Sequence, residues 1–273
     1  MRQRLRIPVA NRAVRGYLMD RVAGSIAKAN RAKEHIDDLQ RSWFEWGARC
    51  YALVPQQDGD RWQGVVRILE PIPDRLSTVI GDVLSNLRAA LDYLVVQGLD
   101  KEGKPVQSFH YFPIAKDAAS YPSQRDGRVK GVGQDFVDVL DALKPYNGGT
   151  DGFFHLNELA RRDKHHLLLT TVVREESVGF RYKEMFPGMP DEFRELLGDR
   201  ALWLKPANPR VMKDGDVVVG GPGPVPSHPG QQFAVQIAFG ESEVLACQPV
   251  IPTLRDLAGL VESTLEAFRP VLI

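Results

Sequence analysis

Apolar side chains recur every three or four residues along several long stretches of the chain and every second residue along others. The pattern predicts a set of amphipathic helices interrupted by short strands. Val22, Ile26, Ala29, Ile36, Leu39 and Trp43 predict a long helix over 21–46. Residues 49–56 and 62–70 are strand-like runs on either side of Gln57-Asp58-Gly59-Asp60, a turn signal, and so predict a β-hairpin that Pro71 and Pro73 bring to an end. The strongest stripe is Leu76, Ile80, Val83, Leu87, Leu91 and Leu94, which predicts a core helix running to about residue 99 with Asp74 as its N-cap.

Residues 101–133 are rich in Gly, Lys, Asp and Ser and read as a long loop with one extended segment at 109–114. A helix over 134–144 stops before Pro145, and the Asn-Gly-Gly turn that follows supplies a cap for a helix over 153–166. Beyond it, 167–173 is β-rich, and strand-like runs at 216–220, 233–239 and 243–247 surround a Pro/Gly-dense loop at 206–230. Leu257, Leu260, Val261, Leu265 and Phe268 predict a final helix over 253–268. The expected fold class is α+β, a predominantly helical bundle with an added antiparallel β-hairpin and C-terminal β-strands. One domain is expected over 21–273, with long loops near 101–133 and 205–231 and no internal repeat.

Charge adds an asymmetry that the balanced total of 35 basic and 35 acidic residues conceals. Residues 1–33 hold nine basic side chains against the single acid Asp20. Residues 1–20 therefore read either as a basic, flexible leader or as an upstream extension of a chain starting at Met19, and a basic arm of this kind can neutralise phosphates. Two cysteines, Cys50 and Cys247, are too few for a disulfide framework or a zinc site and read as reduced thiols of a cytoplasmic protein. No apolar run reaches the length of a membrane span.

Polar residues that interrupt the stripes are the candidate chemistry. On the helix over 76–99, Asn86 falls at the edge of the apolar face, and Arg88 and Asp92 lie one turn apart on the far side, where the simplest reading is a solvated ion pair. On the helix over 153–166 the middle of the apolar face is occupied by Asp163, an acid that needs a partner there. His155, Arg162 and His166 form a column on one flank, and His165 lies with Glu158 on another side. A metal site would draw on His155, Glu158, Asp163 and one of His165 or His166, but the order reverses the Glu-x-x-His of di-iron bundles and has no second copy, so no metal or other cofactor is expected. Arg161, Arg162, His165 and His166 supply what metal-free RNA cleavage requires, an acid/base for the ribose hydroxyl and cations for the phosphate. The competing reading makes Asp163, Asn86 and Arg88 a buried structural network. A third places a small-molecule pocket near His110, Tyr111, His155 and Trp203.

Two stretches, Gly81-Asp82 through Asn86-Leu87-Arg88 to Leu91-Asp92, and Leu156-Asn157-Glu158-Leu159 through Asp163-Lys164-His165, are reinforced by Arg31-Ala32, His35-Ile36 and Phe112-Pro113-Ile114. Together they resemble a widespread bacterial family of uncharacterised activity over roughly residues 28–175. The helices are also remotely similar to HEPN domains, in which an Arg followed after four to six residues by His marks metal-independent ribonucleases. Arg161 and His166 meet that spacing, and Arg162 takes the polar position after the Arg. The resemblance implies an RNA-binding and RNA-cleaving protein with His166 or His165 as acid/base, Arg161 and Arg162 on phosphate, and Asp163, Asn86, Arg88, Asp92 and His155 in support. It also implies that a homodimer could complete the site. The alternative is a non-catalytic binding or scaffold protein.

Overall fold

A computed structural model describes residues 21–47, 51–165, 171–181, 190, 192, 201–204, 211–223, 231–240 and 244–272. The expected leader over 1–20 and, of the expected loop over 205–231, residues 205–210 and 224–230 lie outside these residues.

Helix α1 (Ala23–Gly47) buries Ala29, Ala32, Ile36, Leu39, Trp43 and Trp46, the stripe that its spacing predicts. Trp46 Nε1 donates to the Pro71 carbonyl at 3.2 Å and fastens the end of α1 to the connection that leads into α2. The hairpin forms from β1 (Tyr51–Asp58) and β2 (Arg61–Ile68). Its register pairs Asp58 with Arg61, leaving a two-residue turn whose first residue, Gly59, has φ 62°. Glycine adopts that conformation without the steric cost that a Cβ brings.

Helix α2 (Asp74–Lys101) is the centre of the molecule, burying Leu76, Ile80, Val83, Leu84, Leu87, Leu91 and Leu94. Asp74 is not its N-cap: Pro73 holds that position in an extended conformation, and Asp74 is the first helical residue. An acid there still complements the positive end of the helix dipole. The expected loop over 101–133 contains a further helix, α3 (Tyr121–Arg128), which buries Tyr121 alone. Helix α4 (Gln134–Leu143) ends at Lys144, whose left-handed φ of 49° turns the chain ahead of Pro145. Helix α5 (Asp151–His165) follows, and α6 (Val250–Leu272) closes the fold, with Lys101 Nζ donating to the Val271 carbonyl at its C-terminal end.

Among the described residues the named strands are antiparallel and lie in two three-stranded sheets. The hairpin pairs through β2 with β5 (Val217–Pro222). The other sheet has β3 (Thr171–Arg181) between β4 (Ala201–Leu204) and β6 (Gln231–Phe239). The expected strand over 243–247 is instead a turn over its described residues, 244–247, with Cys247 at φ 61°. Buried side chains from Val22 to Leu272 form one contiguous core, which also takes in Val173, Val235, Ile237 and Phe239 of the second sheet. The α+β class is thus the observed one. At the centre of the core Phe112 packs against Phe153 of α5 and Phe268 of α6, with ring centroids 5.6 and 6.3 Å apart.

Candidate functional site

The polar residues of α2 serve the segment that crosses it. Arg88 is buried, at 7% exposure, rather than solvated as expected. Its Nη2 donates to the Phe112 carbonyl at 2.6 Å and lies 3.0 Å from Asp92 Oδ1, and the same Asp92 oxygen accepts the Phe112 N–H at 2.9 Å. One Arg/Asp pair therefore satisfies both backbone groups of Phe112, which a buried extended segment would otherwise leave without partners. Burial pushes the Arg88 guanidinium below its ordinary value, and Asp92 opposes that shift. Tyr111, next along, carries the Arg128 guanidinium 4.1 Å over its ring centroid, with Arg88 on the ring at 5.8 Å. His110 accepts the Gln107 N–H at Nδ1 and reaches the Lys130 carbonyl through Nε2, so its ring also ties down the loop.

Asn86 is half-buried and plays a local part. Its amide donates to the Asp82 carbonyl one turn back at 2.8 Å, and its oxygen accepts from Lys28 Nζ of α1 at 3.3 Å. Nothing in these bonds joins it to the Arg88–Asp92 pair.

On α5 the anomaly at Asp163 has a geometric explanation. A Cβ built at Gly81 of α2 would lie 2.7 Å from Asp163 Cγ, so the half-buried carboxylate occupies space that α2 leaves open by carrying glycine. Gly81 and Arg88 are seven residues apart on α2, roughly 10 Å at 1.5 Å per residue, so the Asp163 contact and the Arg88–Asp92 clamp are separate places on one helix. Arg161 is exposed and holds Glu158 in a two-pronged pair, with Nη2 to Oε2 at 2.7 Å and Nε to Oε1 at 3.3 Å. That hydrogen bond raises the Arg161 guanidinium above its ordinary value. Arg162 is half-buried on the same helix, and His155 is half-buried with its ring edge toward Phe154. His165 is the last residue of α5; its side chain and the whole of His166 lie outside the described residues, as do the side chain of Trp203 and residue Cys50.

A further feature was not anticipated from the sequence. Between α1, the start of β1, β6 and the first turns of α6 is a cleft of about 470 Å³. Trp43 and Phe44 line it from α1, Tyr51 from β1, Val235 and Ile237 from β6, and Ile251 and Pro252 from α6, with Gln40, Gln236 and Arg255 as its polar side chains. Phe44 is 78% exposed, on the face of α1 that otherwise carries Asp37, Gln40 and Arg41. That misplaced aromatic was the available signal. A single exposed apolar side chain is ordinary on a protein surface, and it is the cleft beside Phe44 that gives this one its interest.

Among the described residues no group of His, Cys, Asp and Glu is arranged to hold a metal ion, and no helix is long and apolar enough to cross a membrane. Compared with family models, with curated proteins and with solved structures, the chain matches none.

Proposed function

We propose that this chain is a non-catalytic binding protein that takes a small, largely apolar molecule in the cleft between α1, β6 and α6. The observation that carries the reading is the cleft itself. Small-molecule sites are concavities of roughly 300–1,000 Å³ with apolar and aromatic walls and a few placed polar groups. A cleft of about 470 Å³ walled by Trp43, Phe44, Tyr51 and Ile237, with Gln40, Gln236 and Arg255 among them, has that character.

The polar residues from which RNA cleavage was expected have architectural uses that support the non-catalytic half of the proposal. Arg88 and Asp92 hold Phe112, Asp163 packs on Gly81, and Arg161 is engaged with Glu158. RNA cleavage asks Arg161 and Arg162 for phosphate contacts, and in the structure two of the three guanidinium nitrogens of Arg161 are turned to Glu158.

Two experiments on the full chain test the halves separately. Saturation-transfer NMR with the uncharged probe 2-naphthalenemethanol should give transfer from the wild type that falls at least fivefold in Phe44→Ala; no transfer from the wild type with this probe or with its charged analogues contradicts binding in the cleft. End-labelled mixed RNA incubated in chelator should remain intact. Cleavage that disappears in His165→Ala/His166→Ala contradicts the non-catalytic reading and restores the ribonuclease.

A further inference from the structure

Among the described residues the cleft has one charged side chain in its walls, Arg255. Asp37, the carboxylate nearest to it, lines the adjoining hollows rather than this one. The recorded contacts of Arg255 both run through a single nitrogen: Nη2 donates to Gln40 Oε1 and lies 3.7 Å from Asp37 Oδ1. Both partners are on α1, and the Arg255 side chain is 53% exposed, so the pair with Asp37 is a solvated one of small strength. Nη1 makes no contact among the described residues, and its N–H groups can be offered to an oxygen of an oxyanion. Ile251 and Pro252, in the first turn of α6, put the positive end of that helix dipole on the same wall.

The rest of the wall is aromatic. Trp43, which is buried, packs on Trp46 with ring centroids 4.9 Å apart and planes tilted by 34°, while Phe44 stands exposed beside it. A flat ring slotted between such groups gains area burial and offset or edge contacts in proportion to its own planarity. A cation in the cleft would face Arg255 with no acid among the described residues of the lining to offset it. A neutral molecule would leave the charged nitrogens to water.

We propose that the ligand of this cleft is a small aromatic carboxylate, with its ring against Trp43 and Phe44 and its carboxylate on Nη1 of Arg255. The inference rests on the binding reading above and specifies its ligand class.

Calorimetric titration of the full chain at low salt with three probes sharing one ring system separates the two. The probes are 2-naphthoate, 2-naphthalenemethanol and 2-naphthylmethylammonium. The carboxylate should bind at least tenfold more tightly than the alcohol, and the ammonium most weakly. Arg255→Gln should bring the carboxylate down to the level of the alcohol while leaving the alcohol unchanged, and Arg255→Lys should keep part of the preference, with circular dichroism showing all variants folded. Equal affinities for acid and alcohol, or a preference that survives Arg255→Gln, overturns the ligand class and leaves the cleft as a binding site. Failure of all three probes to bind overturns both.

Discussion

The Asp163 carboxylate of α5 rests on the backbone of Gly81 of α2, where a Cβ would come within 2.7 Å of Asp163 Cγ. The facing helix makes room for this acid in the middle of an apolar helix face by carrying glycine at that point. Gly81→Ala should therefore behave opposite to its helix propensity. Alanine in a helix interior is worth about 1 kcal/mol over glycine, but overpacking costs about 1–3 kcal/mol, and a net loss of stability in urea titration is expected. Gly81→Ala combined with Asp163→Ala should be more stable than the sum of the single changes by more than about 1 kcal/mol. Additive effects would show that the two residues do not touch.

The Arg88–Asp92 clamp on Phe112 makes a second prediction. Asp92→Ala strands a buried guanidinium and leaves the Phe112 N–H without its acceptor. Removing one member of a buried pair costs about 3–5 kcal/mol, and Asp92 is one-third exposed, so a loss near the lower figure, about 3 kcal/mol, is expected. Adding Arg88→Leu should recover part of it, because an unpaired buried charge is worse than none. A loss under about 1 kcal/mol in Asp92→Ala would return the pair to the solvated surface.

At alkaline pH the group to watch is Tyr121. Burial, and then its hydrogen bond to Asp141, raise the Tyr121 hydroxyl well above the ordinary tyrosine value of 10.0. The folded state holds this proton more tightly than the unfolded state, so the associated stability is complete below about pH 10 and declines as pH rises beyond it. Tyr121→Phe should lower stability at pH 7 by about 1.5 kcal/mol, the loss of a hydrogen bond to a charged acceptor, and should flatten the decline measured by thermal melts between pH 9 and 11. An unchanged alkaline slope in Tyr121→Phe would contradict the assignment.

Periodicity made the long elements legible because each buries a stripe: α1, α2, α4, α5, α6 and the hairpin lie close to where the apolar spacing puts them. Helix α3 was not legible, since Tyr-Pro-Ser-Gln-Arg-Asp-Gly-Arg buries only Tyr121 and one anchored residue makes no stripe. Residues 244–247 look like a strand by composition, yet turn with Cys247 at φ 61°, a conformation that no cysteine advertises.

The site divides in the same way. That Asp163 is anomalous could be read from its helix face, but what accommodates it is Gly81, some eighty residues earlier, and only the packing of α5 on α2 brings them together. Arg88 and Asp92 sit on the polar side of the α2 stripe, and spacing carries no information that 109–114 would cross over them and bury the arginine. The cleft draws its walls from α1, β1, β6 and α6, so it has no local motif, and Phe44 was its one trace in the sequence.

The most direct test of the binding reading uses the four tryptophans, Trp43, Trp46, Trp62 and Trp203, as reporters of where a ligand sits. With indole nitrogens labelled and each signal assigned by single Trp→Phe changes, titration with 2-naphthoate should move the Trp43 resonance, and Trp46 with it through their packed rings, while Trp62 in the hairpin stays in place. Saturable shifts confined to Trp43 and Trp46 place the ligand in the cleft. A spectrum in which Trp43 does not move, at probe concentrations where binding is seen by calorimetry, contradicts it.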